Sequence, residues 1–393
     1  MGDGGERDQA AGGLRRWWRD GPLHRPGARR RYLTAGLAIA IVVSLPAIVG
    51  AVPVSAKKIP VTTLLARAMA SENIKYTGLA SASGALQIPD FGVGGEVTAL
   101  ISHTNRLRAW WDGPTHYRVD RETAFAESDI YRVGNLLWTW DSDHRIAVLT
   151  SGTPQIPLPA AADALPGNLA RRLLALAKPA DVHPAGAQRV AGRTVLAMAW
   201  EPKDPRSTIG RVKVWVDQNT GLPLSVEVRT VDGARAFSSS FLDIPYGAPD
   251  PSVLRFDPSK DPTHPITENT EPVAPGSQQA TFTLPVRIGG LPQRSRPNPL
   301  IATYGAGPSV VAVTALDPTA AQALRGQVDS PGHPPIQGRF GEGTLIESPL
   351  VTGLIFYTRS NGYVLLGTVT RDQIEAMALD LVRHPARQIP GQT

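Results

Sequence analysis

Hydrophobic periodicity is densest between residues 97 and 150, VTALISHTNRLRAWWDGPTHYRVDRETAFAESDIYRVGNLLWTWDSDHRIAVLT. Six short runs stand out there: 97–101, 107–111, 116–120, 129–133, 136–140 and 145–149. Several alternate apolar with polar residues, as a strand with one buried face does. Asp112-Gly113-Pro114 and Gly134-Asn135 supply the positive φ of tight turns. Strands joined this closely are antiparallel neighbours, so the pattern predicts a meander. Leu136, Trp138 and Trp140 share one of its faces by period two.

The same alternation returns further on, at 188–190, 194–200, 210–216, 224–231 and 236–244, after a first strand at 76–84. Val212, Val214 and Val216 face one way, and after a turn at 217–221 Leu224, Val226 and Val228 answer them. Two stretches have helical spacing instead: 61–72 and 160–178, the latter stopped by Pro179. About ten strands with few helices make an α+β, mainly β domain over 57–256, and an open sheet of that size curls or splits. Residues 257–283 are polar and Pro-rich, which predicts a linker. A smaller α+β unit follows over 284–385, with strands at 302–304, 309–315, 344–347, 353–358 and 363–368. Its helices are expected at 318–326 and from an N-cap at Thr370 to 383, and Asn361-Gly362 predicts a tight hairpin. Residues 386–393 form a tail.

Residues 32–56 carry no charge and are long enough to cross the roughly 30 Å hydrocarbon core as one helix. Arg29-Arg30-Arg31 precede them, within a polar, Arg-rich leader expected to be disordered. The positive-inside rule then leaves residues 1–31 in the cytoplasm and the body outside it. Two readings fit: an uncleaved signal anchor in the cell membrane, or a signal peptide cleaved after Val54-Ser55-Ala56, giving a secreted protein.

The net charge of +6 is concentrated in that leader, and without it the chain is close to neutral. A nucleic-acid surface, which needs a basic stripe on the folded part, is not expected. The absence of Cys excludes disulfides, thiolate metal sites and a Cys nucleophile. The eight His are scattered, with no HExxH or i,i+4 pair, so neither metal nor cofactor is expected. Ser55-Ala56-Lys57-Lys58 fits SxxK by chance at the membrane exit. Gly338–Gly343 is Gly-rich but precedes a strand, not the helix a phosphate cradle needs. Asp141 and Asp143 read as turn residues. Nothing converges on catalysis, and the chain is expected not to be an enzyme.

A large curved sheet that cannot fill one face with its own side chains leaves an apolar cavity there. The two helical stretches would plug or lid it. Leu136, Trp138, Trp140, Val212, Val214, Val216, Leu224, Val226 and Val228 are the candidates to line it, although the bland reading of each aromatic is packing.

The run RLRAWWDGPTHYRVD…DIYRVGNLLWTWDSDHRIAVL resembles the strand pattern of the LolA-like lipoprotein-carrier superfamily, and VKVWVDQNTGLPLSVEV its W-V-D…T-G-L-P-L hairpin. The two-domain layout is similar to the RseB/MucB family of sigma-factor regulators. The resemblance implies a curved antiparallel half-barrel of about eleven strands with helices on its concave side, and an extracytoplasmic role. It implies acyl lipid or lipoprotein as ligand, for hand-over or sensing. It also implies a membrane-bound regulator, such as an anti-sigma factor, as partner of the C-terminal domain. A structural envelope protein with a filled core is the remaining reading.

Overall fold

The computed structural model describes residues 56–86, 95–122, 127–151, 159–257, 266–269, 282–294, 301–329 and 333–388. The leader and the expected membrane span lie outside these, apart from Ala56. Among the described residues no helix is long and apolar enough to cross a membrane.

The chain opens with α1 (Val61–Met69), which buries Leu64, Leu65 and Ala68. β1 (Tyr76–Gly84) and α2 (Gly95–Ser102) follow. The meander comprises β2 (Thr104–Trp111), β3 (His116–Glu122), β4 (Glu127–Val133), β5 (Leu136–Asp141) and β6 (Ile146–Ser151). A 3₁₀ turn (Ala161–Ala164) leads into α3 (Pro166–Leu174), then β7 (Val182–Val190), β8 (Arg193–Trp200), β9 (Ile209–Asp217), β10 (Pro223–Thr230) and β11 (Arg235–Asp243).

These strands form one curved sheet in the order β12-β6-β5-β4-β3-β2-β1-β11-β10-β9-β8-β7. Its edge strand β12 (Ile266–Asn269) comes from the expected linker and runs parallel to β6. So part of 257–283 is built into the sheet: a Pro-poor stretch could offer its backbone to the open edge. The other pairings are antiparallel, and β1 closes the two meanders together by pairing with both β2 and β11.

Two expectations fail locally. Residues 97–101 belong to α2, not to a strand, because a five-residue apolar run cannot by itself tell the two apart. Pro166 splits 160–178, ending the 3₁₀ turn and opening α3 at its first turn, where a proline's missing N–H costs nothing.

Period two sorts the sheet into two faces. The register Met198↔Val214↔Val226↔Ser239↔Ala82↔Asn105 and its neighbouring rows define an inner face. Leu107, Val119, Ile130, Met198, Val212, Val214, Val216, Val226 and Val228 form one apolar core there with the buried residues of α1 and α3. The Ser239 hydroxyl, which would otherwise be a buried orphan on this face, donates to Ala164 O at 2.5 Å and so pins the 3₁₀ turn to the sheet. Gly84 lets α2 lie against β1: a Cβ there would stand 1.7 Å from Ile101 O.

The C-terminal unit contains β13 (Ala302–Ala306), β14 (Ser309–Leu316), α4 (Pro318–Val328), β15 (Pro335–Gly338), β16 (Gly341–Glu347), β17 (Thr352–Tyr357), β18 (Gly362–Gly367) and α5 (Arg371–Arg383). The sheet order is β13-β14-β18-β17-β16-β15. Asp317 caps α4 by accepting Thr319 N at 2.8 Å. The β17–β18 connection is not the expected two-residue hairpin. Residues 358–361 form a longer loop, and Asn361 is buried, donating to Tyr363 Oη at 2.9 Å and Ala386 O at 2.8 Å.

Backbone bonds stitch this unit to the large sheet. Thr370 N donates to Arg206 O at 2.8 Å and Thr208 N to Thr368 O at 3.3 Å, around a Ser207↔Val369 bridge. Thr208 Oγ1 donates to Leu350 O at 2.6 Å, so Leu350 is delivered to the core of the large domain.

Candidate functional site

Between the inner face and its covering helices lies an apolar cavity of about 340 Å³. That is at the small end of the ~300–1,000 Å³ usual for ligand sites. The sheet contributes Ile209, Val228 and Phe237, with Leu86 just past β1. α2 contributes Leu100 and Ile101, and α3 contributes Leu169 and Leu173. The C-terminal unit closes the last wall with Leu350, Val351 and Thr368. Its charged groups stand at one place, where Arg172 Nη2 meets Asp163 Oδ1 at 2.6 Å.

That ion pair also borders a second hollow of about 310 Å³, walled by Trp111, Tyr117, Asn168 and Arg171. Trp111 and Tyr117 stack with centroids 4.8 Å apart, and Trp111 Nε1 donates to Glu72 O at 2.7 Å. Arg171 donates to Ser71 Oγ at 3.1 Å and to Asn168 Oδ1. Partial burial holds its pKa below the usual arginine range. Chemically this is a greasy slot with a charged, aromatic-walled mouth. It can take an alkyl chain by burial, at about 0.8 kcal/mol per CH₂.

The nine residues expected to line a cavity do not share one. Val228 lines it. Val212, Val214, Val216, Leu224 and Val226 are on the same face but at 0–1 % exposure, packed against the helices with no free surface to offer. Leu136, Trp138 and Trp140 stand on the opposite, outer face. Trp138 lies across from Tyr131 and Trp140 from Asp129 in the register. Phe256 packs over them, with centroids 5.0 Å from Trp138, 5.2 Å from Tyr131 and 6.3 Å from Trp140. Their size suggested a lining role, but Phe256, from the end of the domain, had already claimed that surface. Leu169 and Leu173 were recognisable as the apolar stripe of a covering helix. Leu86, Leu100, Ile101, Leu350 and Val351 carried no common signal, because they come from separate segments and meet in space alone. The tip residues Asp141 and Asp143 behave as a turn: Asp141 Oδ1 accepts Asp143 N at 2.9 Å and His144 N at 3.1 Å.

Residues 126–244 match the family model of the MucB/RseB N-terminal domain. No curated protein sequence matches the chain. Among solved structures it is similar to that of the MucA/MucB complex of Pseudomonas aeruginosa, at 19 % identity and a TM-score of 0.45, over 84 % of this chain and 99 % of that one. It is also similar to a LolA superfamily protein of Nitrosomonas europaea, at 14 % identity and a TM-score of 0.24, over 51 % of this chain and 99 % of that one. A third is LprF of Mycobacterium bovis, at 8 % identity and a TM-score of 0.31, over 49 % and 96 %. The motifs of the second meander, W-V-D…T-G-L-P-L among them, fall inside the matched segment, which is similar to the MucB/RseB N-terminal domain.

Proposed function

We propose that this chain is a membrane-tethered, extracytoplasmic binding protein that holds an acyl chain of a lipid or lipoprotein between its sheet and its helices, for hand-over or sensing. The observation that carries the reading is the apolar cavity of about 340 Å³, whose charged groups are gathered at the Arg172–Asp163 pair. A slot of this kind orients an amphiphile, tail inward and head outward. No proton transfer or nucleophile is called on, so the reading is of a binder, not an enzyme. The charge-free run 32–56 supports the tether and the outward placement of the body.

The test is to express residues 56–393 and examine what co-purifies, by native mass spectrometry and organic extraction. The expected result is acyl lipid at about one per chain, lost on filling the slot with Leu169→Trp. A fully folded, lipid-free protein that also takes up no added fatty acid defeats the reading.

A second reading is favoured by one specific observation: Leu350 and Val351 of the C-terminal unit form part of the cavity wall. An occupant therefore touches both domains. That suits a regulator of the RseB/MucB kind, in which the C-terminal domain grips an anti-sigma factor or another membrane-bound partner and the ligand changes the grip. Removing residues 284–393 is expected to abolish capture of such a partner. Capture that survives the deletion would leave the binder reading alone.

A further inference from the structure

The outer face of the β3–β4 ladder carries a group of charges that acyl binding does not use. Asp120 and Asp129 are direct partners across the ladder, and Glu127 lies two residues from Asp129 on the same face. One carboxylate oxygen from each of the three lies within 4.8 Å of the others. Asp120 is 3 % exposed and Asp129 5 % exposed, whereas Glu127 reaches solvent. The burial follows from the neighbours: Trp140 stands opposite Asp129 on β5.

A single guanidinium serves this group. Arg118 Nε donates to Asp120 Oδ1 at 2.6 Å and Arg118 Nη2 to Asp129 Oδ2 at 3.0 Å. Arg118 is fixed between rings, 4.9 Å from the Trp110 centroid and 4.8 Å from that of Tyr131. It uses one oxygen of each aspartate and cannot turn to a third carboxylate without giving up one of these contacts. The next row cannot help, because Arg106 and Arg108 pair with Glu122 at 3.8 and 3.5 Å. Three carboxylates against one cation leave an excess of two negative charges where water is largely shut out. Asp129 Oδ1 shows the deficit directly: it is buried and has no hydrogen-bond partner.

We propose that Asp120, Glu127 and Asp129 form a binding site for one hard divalent cation of the calcium class on the outer face of the sheet. Calcium takes carboxylate oxygens at about 2.3–2.6 Å, so ligands up to about 5 Å apart reach one ion. The spacing of the three oxygens meets that condition, and a double charge cancels the excess. The orphaned Asp129 oxygen gains its partner, Arg118 keeps its two bonds, and exposed Glu127 gives the ion a way in. Burial, together with the mutual repulsion of the group, already raises the pKa of Asp120 and Asp129. That is the response of a group waiting for positive charge.

The experiment uses the full chain in a zwitterionic detergent, with calcium chloride as the probe after treatment with EDTA. Equilibrium binding and thermal unfolding are both followed. The expected result is one calcium per chain, and a rise in Tm of about 5 °C at saturating calcium. Glu127→Gln, at an exposed position that leaves the fold intact, weakens binding at least tenfold, and Asp129→Asn removes it. Asp372→Asn, in the first turn of α5 in the C-terminal unit, leaves binding unchanged. Absence of saturable calcium binding at millimolar concentration overturns the proposal. So does a Tm shift that persists in Glu127→Gln and Asp129→Asn, or one that disappears in Asp372→Asn.

Discussion

The two faces of the large sheet are made by the same strands and obey opposite rules. On β9, Val212, Val214 and Val216 point inward and are 0–1 % exposed. Arg211, Lys213 and Trp215, one residue out of step, point to the other side, where Lys213 Nζ sits 4.9 Å from the Trp215 ring. The inner face is sealed by helices and holds shape through volume. Over β9–β11 the outer face carries Arg211, Lys213, Glu227, Arg229, Ser238 and Ser240. At β3–β5 it becomes aromatic and acidic, under Phe256. The lesson is that burial alone does not mark the site. The most buried inner positions are filled core, and the cavity opens at the margin of that core, where a second domain completes the wall.

The sharpest way to break this comparison is to place a charge inside. Val214→Asp puts an unpaired carboxylate where no polar partner exists, and is expected to cost more than about 4 kcal/mol or to prevent folding. Loss of bound lipid in such a variant therefore reports unfolding. Leu169→Trp sharpens the distinction, because it acts at the half-buried cavity wall. It is expected to abolish acyl-lipid co-purification while changing stability by no more than about 1.5 kcal/mol. Chemical denaturation beside lipid extraction separates the two effects. Equal loss of stability in both variants would erase the line between core and cavity.

On the outer face the largest expected effect is a pH dependence. Burial first, and then neighbouring charge, raises the pKa of Asp129 and Asp120 above the ordinary 3.8, with Arg118 opposing and Glu127 and Tyr131 as the other ionisable neighbours. A carboxyl with a raised folded pKa binds its proton more tightly when folded. Its contribution to stability is complete below the ordinary aspartate range and is lost as the pH climbs through the raised value toward neutrality. In EDTA, stability is expected to fall by on the order of 2 kcal/mol between pH 4.5 and 7.5 beyond the trend of Asp129→Asn. Denaturant titrations of the two proteins across that range give the answer. A parallel pair of curves means that the excess charge is not felt.

How much of this was legible follows from the range of the signals. Strands β2–β6 and β8–β11 were readable because each alternates and each turn carries its Gly, Asn or Asp, such as Gly134 at φ 60° and Gly221 at φ 86°. The helix at Gly95–Ser102 was not, since VTALI satisfies either period over so short a run. The choice of face was not legible at β5, where each face carries a Leu: Leu137 turns inward with Thr139, while Leu136, Trp138 and Trp140, the more apolar set, turn outward. The decisive partner, Phe256, is more than a hundred residues away in sequence. The cavity was legible as a class of feature and not as a list of residues, because Leu350 reaches it from beyond the linker, on a segment that bonds to Arg206 and Thr208 of the large domain. The acidic cluster was within reach. Period two along HYRVDRE and ESDIYRV, in the register of one hairpin, already sets Arg118, Asp120, Asp129 and Glu127 on one face.

Phe256→Ala tests the aromatic part of the outer face. The ring is half-buried and touches Tyr131, Trp138 and Trp140, so its removal is expected to cost about 1–2 kcal/mol without altering lipid content. A loss of lipid in this variant would mean that the two faces are coupled through the sheet.

The smallest effect is the most exact probe of the face assignment, because it sits next to the largest. Lys213→Ala removes the neighbour of Val214. It takes away one cation–π contact at the surface, worth about 0.5–1 kcal/mol, and leaves no buried group unpaired. Trp215 retains its place on the strand, and the Val214↔Val226 pair beneath it is untouched. The expected ratio of destabilisation between Val214→Asp and Lys213→Ala, measured in the same denaturant series, is therefore at least fourfold. A one-residue slip in the register of β9 exchanges every side chain between the faces and erases that ratio. Val214→Asp then becomes harmless and Lys213→Ala, by removing a buried charge, stabilises, so these two adjacent substitutions fix which side of the sheet the helices cover.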